Sequence, residues 1–374
     1  MKILFPFVGD SVGGSHHSII ELHRELSKNN ISSSIVVHQK GPLSLFLDDI
    51  GIVYEYLPVQ RFAGEKPNII SILCGVCINF NKIYKYRKQN KNSIVHGNDL
   101  RINFTWSLPT KLSSASYVWH QRTTMSSSAL WKFSNILADH FVTTSNYVHR
   151  SLPKNIEKSK KTLALNPFNV DHFYQQETSR QWLSVLYNVP KKSVLFGYIG
   201  RLVDWKNVDF LICCFAECVK RFDLNLHLII VGAGGSKYVD TLKQLVCKLE
   251  ISRNVTFAGF NSEPSRVISA FDLMIAPSNQ EPFGRTLVEA MIQKTPILAA
   301  KGGGHSEIID NGVTGRLYNH HDTDDFIDQC SICLKNNRSE IEIVNQAKTI
   351  AFSQYSSHRH AKNIIQIYQK LLAI

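Results

Sequence analysis

Negative charge is scarce in this chain, and scarcest in its first half. Residues 1–170 hold 20 Lys and Arg against 10 Asp and Glu, a balance of +10, whereas the remainder holds 22 against 20. A surplus of that size suits an anionic partner, whether nucleic acid, a phosphorylated substrate or a membrane surface, and it also serves plain solubility. No apolar run reaches the ~20 residues that span a bilayer. The longest lies near Ile69 to Phe80 and is interrupted by polar and small residues. The opening MKILFPFV has a single lysine and passes straight into a Gly-bearing segment, as a buried first strand does and a secretory leader does not. A cytosolic chain is therefore expected. Directly after the apolar run, NKIYKYRKQNK (81–91) interleaves basic residues with tyrosines. Each such cation near an anionic leaflet contributes about 1 kcal/mol, so peripheral membrane contact stands beside the simpler reading of a solvated helix end.

Familiar catalytic signatures are missing too. There is no phosphate loop ending in Gly-Lys-Ser/Thr, no clean GxGxxG, no HExxH, and no nucleophile elbow with a paired Ser or Cys. The acidic pairs Asp48–Asp49 and Asp324–Asp325 fall in helix-like surface contexts, so no metal is expected. Eight cysteines include the pairs Cys74–Cys77 and Cys330–Cys333, but about 250 residues separate them, too far for the usual two-pair metal site. Both pairs sit in apolar helical patterns and read as buried, reduced thiols. Short-period repeats and low-complexity tracts are also absent.

What is present is alternation. KILFPFV, SSIVVH, IVYEY, SIVHG, SYVWH and DHFVTTS read as strands, and HSIIELHRELSKN between the first two places Ile19, Ile20, Leu22 and Leu26 at a period near 3.6. SVLFGYIG, HLIIVGAG, NVTFAGF, DLMIAPS and TPILAA repeat the logic in the second half. Strands alternating with helices make parallel sheets covered on both faces. Two doubly wound α/β domains are expected, 1–170 and 171–356, with a linker around Pro167 to Lys192 and an amphipathic closing helix (357–374) completing the first.

In such sheets ligands bind where the strands' carboxyl ends meet loops and helix starts. Four glycine-bearing loops fall there: DSVGGS (10–15), IGRLVDWKN (199–207), VGAGGS (231–236) and KGGGHS (301–306). Close backbone approach with N–H groups at helix starts makes an anion site, with phosphate its usual occupant. In GRLVDWKN, Arg201 and Lys206 follow a strand end at Gly200, placed either for a diphosphate or to pair with Asp204 or Asp209. EPFGRTLVEA (281–290) sets Glu281 and Glu289 eight residues apart across Pro282 and Gly284. Those two breakers prevent one continuous helix, so the carboxylates are not stacked as an acid–base pair.

YIGRLVDWKN, HLIIVGAGG, VTFAGF, DLMIAPSNQEPFGRTLVEAM and PILAAKGGGHSEIIDNGVTG follow one another over about 120 residues. This run resembles the nucleotide-binding domain of retaining glycosyltransferases of family 4 (glycosyl transferases group 1), which have the GT-B fold of two Rossmann-like domains facing across a cleft. VGGSHHSIIELHREL, TSNYVHRSL and NPFNVDHF are similar to that family's glycine-rich loop and interdomain landmarks. The resemblance implies that Arg201 and Lys206 hold the donor's diphosphate, that Glu281 reaches the donor sugar and that Glu289 accepts from the ribose hydroxyls. It implies that Phe283, Gly284, Arg285, Thr286 and Leu287 line sugar and phosphates, with Gly200 and Gly232 in the same donor site. Gly13 and Gly14 would approach the diphosphate from the other domain, and His120 would hydrogen-bond the reacting sugar. The chain departs from the pattern in having Asn207 after the lysine, and Gln121-Arg122 after His120 where Asp is common. The tandem His16–His17 lies just beyond the glycines, where it could face substrate, and an exposed helix start is the expected place of one of them.

The resulting expectation is a metal- and cofactor-independent retaining transfer from a nucleotide-sugar, UDP by default, to a glycan or lipid-linked acceptor in cell-surface polysaccharide or lipopolysaccharide synthesis. Nucleic acid is not an expected partner. An inactive binding subunit or an epimerase on the same fold are the alternatives.

Overall fold

In a computed structural model, which describes residues 1–60, 62, 69–125, 134–190, 192–335 and 338–372, the chain divides into two compact units. Met1–Asn169 with Ser356–Ile374 form the first, and Val170–Tyr355 the second. The first is built on β1 (Lys2–Phe7), β2 (Ser32–Val37), β3 (Tyr54–Tyr56), β4 (Ser93–Gly97), β5 (Tyr117–Gln121), β6 (His140–Thr143) and β7 (Lys161–Leu163). They pair in the order β3-β2-β1-β4-β5-β6-β7, every pair parallel. Strands buried on both faces need continuous apolar runs. Ile3, Leu4 and Phe5 of β1 and Val36 and Val37 of β2 meet that need.

The second unit repeats the plan with β8 (Val194–Ile199), β9 (Leu226–Val231), β10 (Val255–Gly259), β11 (Leu273–Ala276), β12 (Ile297–Ala300) and β13 (Arg316–Tyr318), in the order β10-β9-β8-β11-β12-β13. All its pairs are parallel as well. Each order reverses once, at β1/β4 and at β8/β11, and a doubly wound sheet opens its crevice at such a reversal.

The eleven runs read as strands correspond to β1–β6 and β8–β12; β7 and β13 escape sequence reading. KTL and RLY are three-residue edge strands, each opening on a cation, too short to show a period. The stretch expected to be linker, 167–192, contains a helix, Gln176–Tyr187, whose buried face is Ser179, Leu183 and Ser184. Trp182, Leu183, Leu186 and Tyr187 recur at helical spacing, but Leu183 alone of them is buried. Arg180 fixes the helix instead, donating to the Ala270 carbonyl at 3.0 Å and to Asp272 at 3.2 Å.

The closing helix, Ser357–Leu372, belongs to the first unit, where Ala361, Ile364, Ile367 and Tyr368 join the core of Ile3, Phe5 and Ile94. Cys330 and Cys333 are buried, but Cys74 and Cys77 are exposed, against expectation. Helix Ile69–Gln89 turns Val76, Asn79, Ile83 and Arg87 inward and leaves the cysteine face out, so its apolar run is not all core. No described helix is long and apolar enough to cross a membrane.

Candidate functional site

At the β8/β11 reversal, two loops are tied to one another. After β8 the chain passes Gly200 and Arg201, makes a 3₁₀ turn over Asp204–Lys206, and turns at Asn207 (φ 54°) into helix Val208–Arg221. Asn207 tolerates the left-handed conformation. It donates its amide to the Pro277 carbonyl at 3.3 Å, and Ser278 Oγ donates to the Trp205 carbonyl at 3.1 Å. This stitching brings Lys206 Nζ into an ion pair with Glu281. Both side chains are less than a fifth exposed. Lys206 Nζ also lies 4.4 Å from the Trp205 ring centre, and the Arg201 guanidinium 5.9 Å from it. Among the described residues neither cation pairs with Asp204 or Asp209; Arg201 is exposed.

Glycines then let the β12 loop lie on the β11 loop. A Cβ on Gly303 would stand 2.6 Å from the Glu281 carbonyl oxygen, and one on Gly304 2.4 Å from that of Phe283. Gly304 N–H donates to the Glu281 carbonyl at 2.7 Å, fixing the backbone of the very residue whose carboxylate holds Lys206. Gly284 (φ 101°) caps helix Arg285–Gln293, which brings Arg285, Thr286 and Leu287 into its first turn at this edge. First-turn amides and the dipole make a helix start electropositive. Phe283 is buried, its ring 5.9 Å from Tyr355.

Glu289 lies in the same helix, 15% exposed, with Arg285 Nη2 3.8 Å from its carboxylate. Burial pushes its pKa above the usual 4.5, and Arg285 opposes that only in part. His305, which opens the helix after the glycine loop, packs its Cδ2 3.0 Å from the point where a Gly284 Cβ would sit. Burial holds it at about 4, neutral, with Nδ1 3.3 Å from the Ala300 carbonyl.

Gly200 and Gly232 do something other than cradle an anion with their own amides. Gly200 N–H donates to the Val231 carbonyl and Gly232 N–H to Gly259, and a Cβ on Gly232 would stand 1.8 Å from the Gly200 carbonyl oxygen. Their contribution is close backbone packing behind the Arg201 turn.

In the first unit the β1 loop ends at Gly13, extended at φ −158°, and helix Gly14–Lys28 begins. The Gly13 amide is also taken: it donates to His16 Nδ1 at 2.9 Å. His16 packs 4.7 Å from the Phe7 ring and is held at about 4 by burial, while His17 lies edge-on to Phe46. Neither is the freely exposed helix-start histidine that was expected.

His120, at the end of β5, is 1% exposed. Arg122 Nη2 lies 3.3 Å from its Nδ1 and His96 Nε2 3.1 Å from the same atom. Arginine can only donate, so His120 Nδ1 accepts, His96 donates through Nε2, and His96 Nδ1 accepts from the Tyr368 hydroxyl at 2.5 Å. The proton of neutral His120 is thereby placed on Nε2, a buried atom with no hydrogen-bond partner among the described residues. Arg122 is anchored on Asn166 Oδ1 at 2.6 Å and on Asn98 Oδ1 at 2.7 Å.

The second unit thus brings Arg201, Lys206, Glu281 and the Phe283–Leu287 turn to one edge, with Glu289 one turn further along the helix. Gly13, Gly14 and His120 lie at the corresponding edge of the first. Trp205 and His305 carry no assigned role in the sequence reading, and Arg122 figures there only as a departure after His120; the signal for His305 is its place after three glycines, at the start of a helix.

Residues 184–350 match the family described as Glycosyl transferases group 1. The poly(ribitol-phosphate) alpha-N-acetylglucosaminyltransferase of Staphylococcus aureus (strain COL) is 28% identical over 197 residues, 52% of this chain and 38% of that protein. The N-acetyl-alpha-D-glucosaminyl L-malate synthase of Bacillus anthracis is 28% identical over 186 residues, 50% of this chain and 48% of that protein. The matched stretch spans less than half the length of these curated relatives. Anabaena Alr3699/HepE, solved in complex with UDP and glucose, superposes with a TM-score of 0.84 at 20% identity, covering 99% of each chain. That likeness is one of fold: two doubly wound units of the GT-B type.

Proposed function

We propose, from the premise that residues 184–350 form a glycosyl transferases group 1 domain, that this chain transfers a sugar from a nucleotide diphosphate donor to an acceptor hydroxyl with retention at the anomeric carbon. The observation that carries the reading is the Lys206–Glu281 pair at the β8/β11 reversal, beside Arg201 and the start of helix Arg285–Gln293. A lysine already neutralised by a carboxylate is a poised site for exchange of partners. An incoming diphosphate takes Lys206 and Arg201, and Glu281 is released to accept hydrogen bonds from hydroxyls of the donor sugar. As the C1–O bond to the diphosphate breaks, negative charge grows on the leaving oxygen, and fixed cations stabilise it most at that moment. The acceptor oxygen bonds to C1 on the face the diphosphate vacates, and the acceptor's proton passes to a diphosphate oxygen. No enzymic nucleophile and no metal are required.

Glu289 would accept from the ribose 2′- and 3′-hydroxyls, one helical turn from the phosphates. His120, with its proton on Nε2, would donate to the reacting sugar. UDP is the proposed nucleotide, supported by the UDP in the Anabaena complex. The acceptor is proposed to be a cell-surface glycan or its lipid-linked precursor, supported by the N-acetylglucosaminyltransferase relative and by the +10 balance of residues 1–170.

The test is incubation of the purified chain with UDP-, GDP- and ADP-sugars in EDTA, with glycan acceptors, following nucleotide release and the anomeric configuration of the product. UDP release with a retained α-anomer is expected. Inversion would overturn the mechanism, and a chain inert with every donor would be a binding subunit instead.

A further inference from the structure

Helix Ile69–Gln89 carries one face that the described residues leave uncovered. Ile70 is 71% exposed, Leu73 58% and Ile78 51%, with Cys74 and Cys77 exposed among them. Further along, Asn81, Lys82, Lys85 and Lys88 are exposed as well. At 100° per residue, positions 70, 74, 77, 81, 85 and 88 fall within a stripe about 80° wide, with 73 on one margin and 78 and 82 on the other. The apolar row therefore runs into a basic row on the same face, while Val76, Asn79, Ile83 and Arg87 are buried on the other. A helix joining two parallel strands runs back against them, so the Ile69 end lies at the carboxyl edge of the sheet. That is the edge at which Gly13, Gly14 and His120 stand.

We propose that this face docks the first unit on an anionic lipid leaflet. Ile70, Leu73 and Ile78 would enter between headgroups, and Lys82, Lys85 and Lys88 would lie along the lipid phosphates. Amphipathic helices bind such surfaces through buried apolar area added to electrostatic attraction, and here the two terms sit end to end. Charge argues for lipid over a second copy of the chain. Parallel pairing of two such helices sets lysine row against lysine row, and antiparallel pairing buries lysines against isoleucine and leucine. One face of a single helix also falls short of the roughly 800 Å² per partner of a stable protein interface. The surplus of +10 in residues 1–170 acts in the same direction at longer range. A lipid-linked acceptor in that leaflet would be delivered to the carboxyl edge of the sheet; this last step rests on the transferase reading, and docking itself does not.

The full chain is sedimented with sucrose-loaded vesicles of phosphatidylcholine alone and of phosphatidylcholine with phosphatidylglycerol, at low and high salt. Binding to the anionic vesicles only, weakened by salt, is expected. A lysine at the surface is worth about fivefold, so the triple variant Lys82→Gln/Lys85→Gln/Lys88→Gln should lose roughly a hundredfold. Leu73→Glu/Ile78→Glu should lose at least as much, while both variants melt with the parent and release nucleotide normally on a soluble acceptor. Equal binding to neutral and anionic vesicles would overturn the proposal, as would full binding by either variant. A dimer in light scattering that Leu73→Glu/Ile78→Glu dissolves would assign the face to self-association instead. Failure of nucleotide release in the parent, with vesicle binding intact, would sink the transferase reading and leave docking standing.

Discussion

Lys206 and Glu281 stand 75 positions apart in sequence and share one ion pair, so neither can be altered without changing the other's environment. Lys206→Ala removes a cation that would meet the leaving diphosphate and leaves the Glu281 carboxylate unpaired. Turnover should fall about a hundred- to a thousandfold, with secondary structure by circular dichroism unchanged; Arg201→Ala should act likewise through its more exposed charge. Retention of full turnover in both would end the assignment. Glu289 gives a pH prediction. Its folded pKa is raised by burial, so its contribution to stability of the empty protein is fullest at low pH and is lost as pH rises through the folded value. Ribose hydroxyls prefer the ionised carboxylate, so nucleotide affinity should run the other way, weakening as pH falls through that same raised value. Calorimetric titration with UDP between pH 4.5 and 7 measures it, and Glu289→Gln should bind weakly with the slope gone. The letters of this site were legible: EPFG and the trailing Glu-Ala pair carried it. The pairing of Lys206 with Glu281 was not, because two loops that meet only through the parallel order β8-β11 leave no local pattern.

At the scale of elements, glycine-rich loops that look alike in sequence prove to serve different purposes. Gly304 has an ordinary φ of −69°, so its requirement is one of space: a Cβ would stand 2.4 Å from the Phe283 carbonyl. Gly304→Ala should cost about 1–3 kcal/mol, as overpacking does, and raise the donor KM by displacing the Phe283–Gly284 backbone. Gly235 at φ −62° caps helix Ser236–Lys248 with nothing within 4 Å, so Gly235→Ser should be neutral or gain the few tenths of a kcal/mol that a serine cap supplies. Urea melts of the two variants check both signs at once. Central strands were readable because burial on both faces demands unbroken aliphatic runs. Edge strands β7 and β13 were not, because three-residue pairing leaves no period to read.

At the scale of the whole molecule, the chain leaves the first unit after Asn169 and returns at Ser356, where Ser357 N–H donates to the Phe168 carbonyl at 3.1 Å. The returning helix buries Ile364, Ile367 and Tyr368 against the first sheet. Side chains of this size contribute about 1.5–3 kcal/mol each when buried, so truncation after Tyr355 should cost the first unit several kcal/mol. Hydrogen exchange should show β1 and β4 losing protection while β8 and β11 keep theirs; equal loss in both would refute the division. This discontinuity also sets an order of events on the ribosome. Residues 170–355 are contiguous and can fold as soon as they emerge. The first unit, though made earlier, waits with an open apolar groove until helix Ser357–Leu372 has been synthesised. At about 5–20 residues per second that wait lasts many seconds, during which the older half of the chain is the one in need of a chaperone.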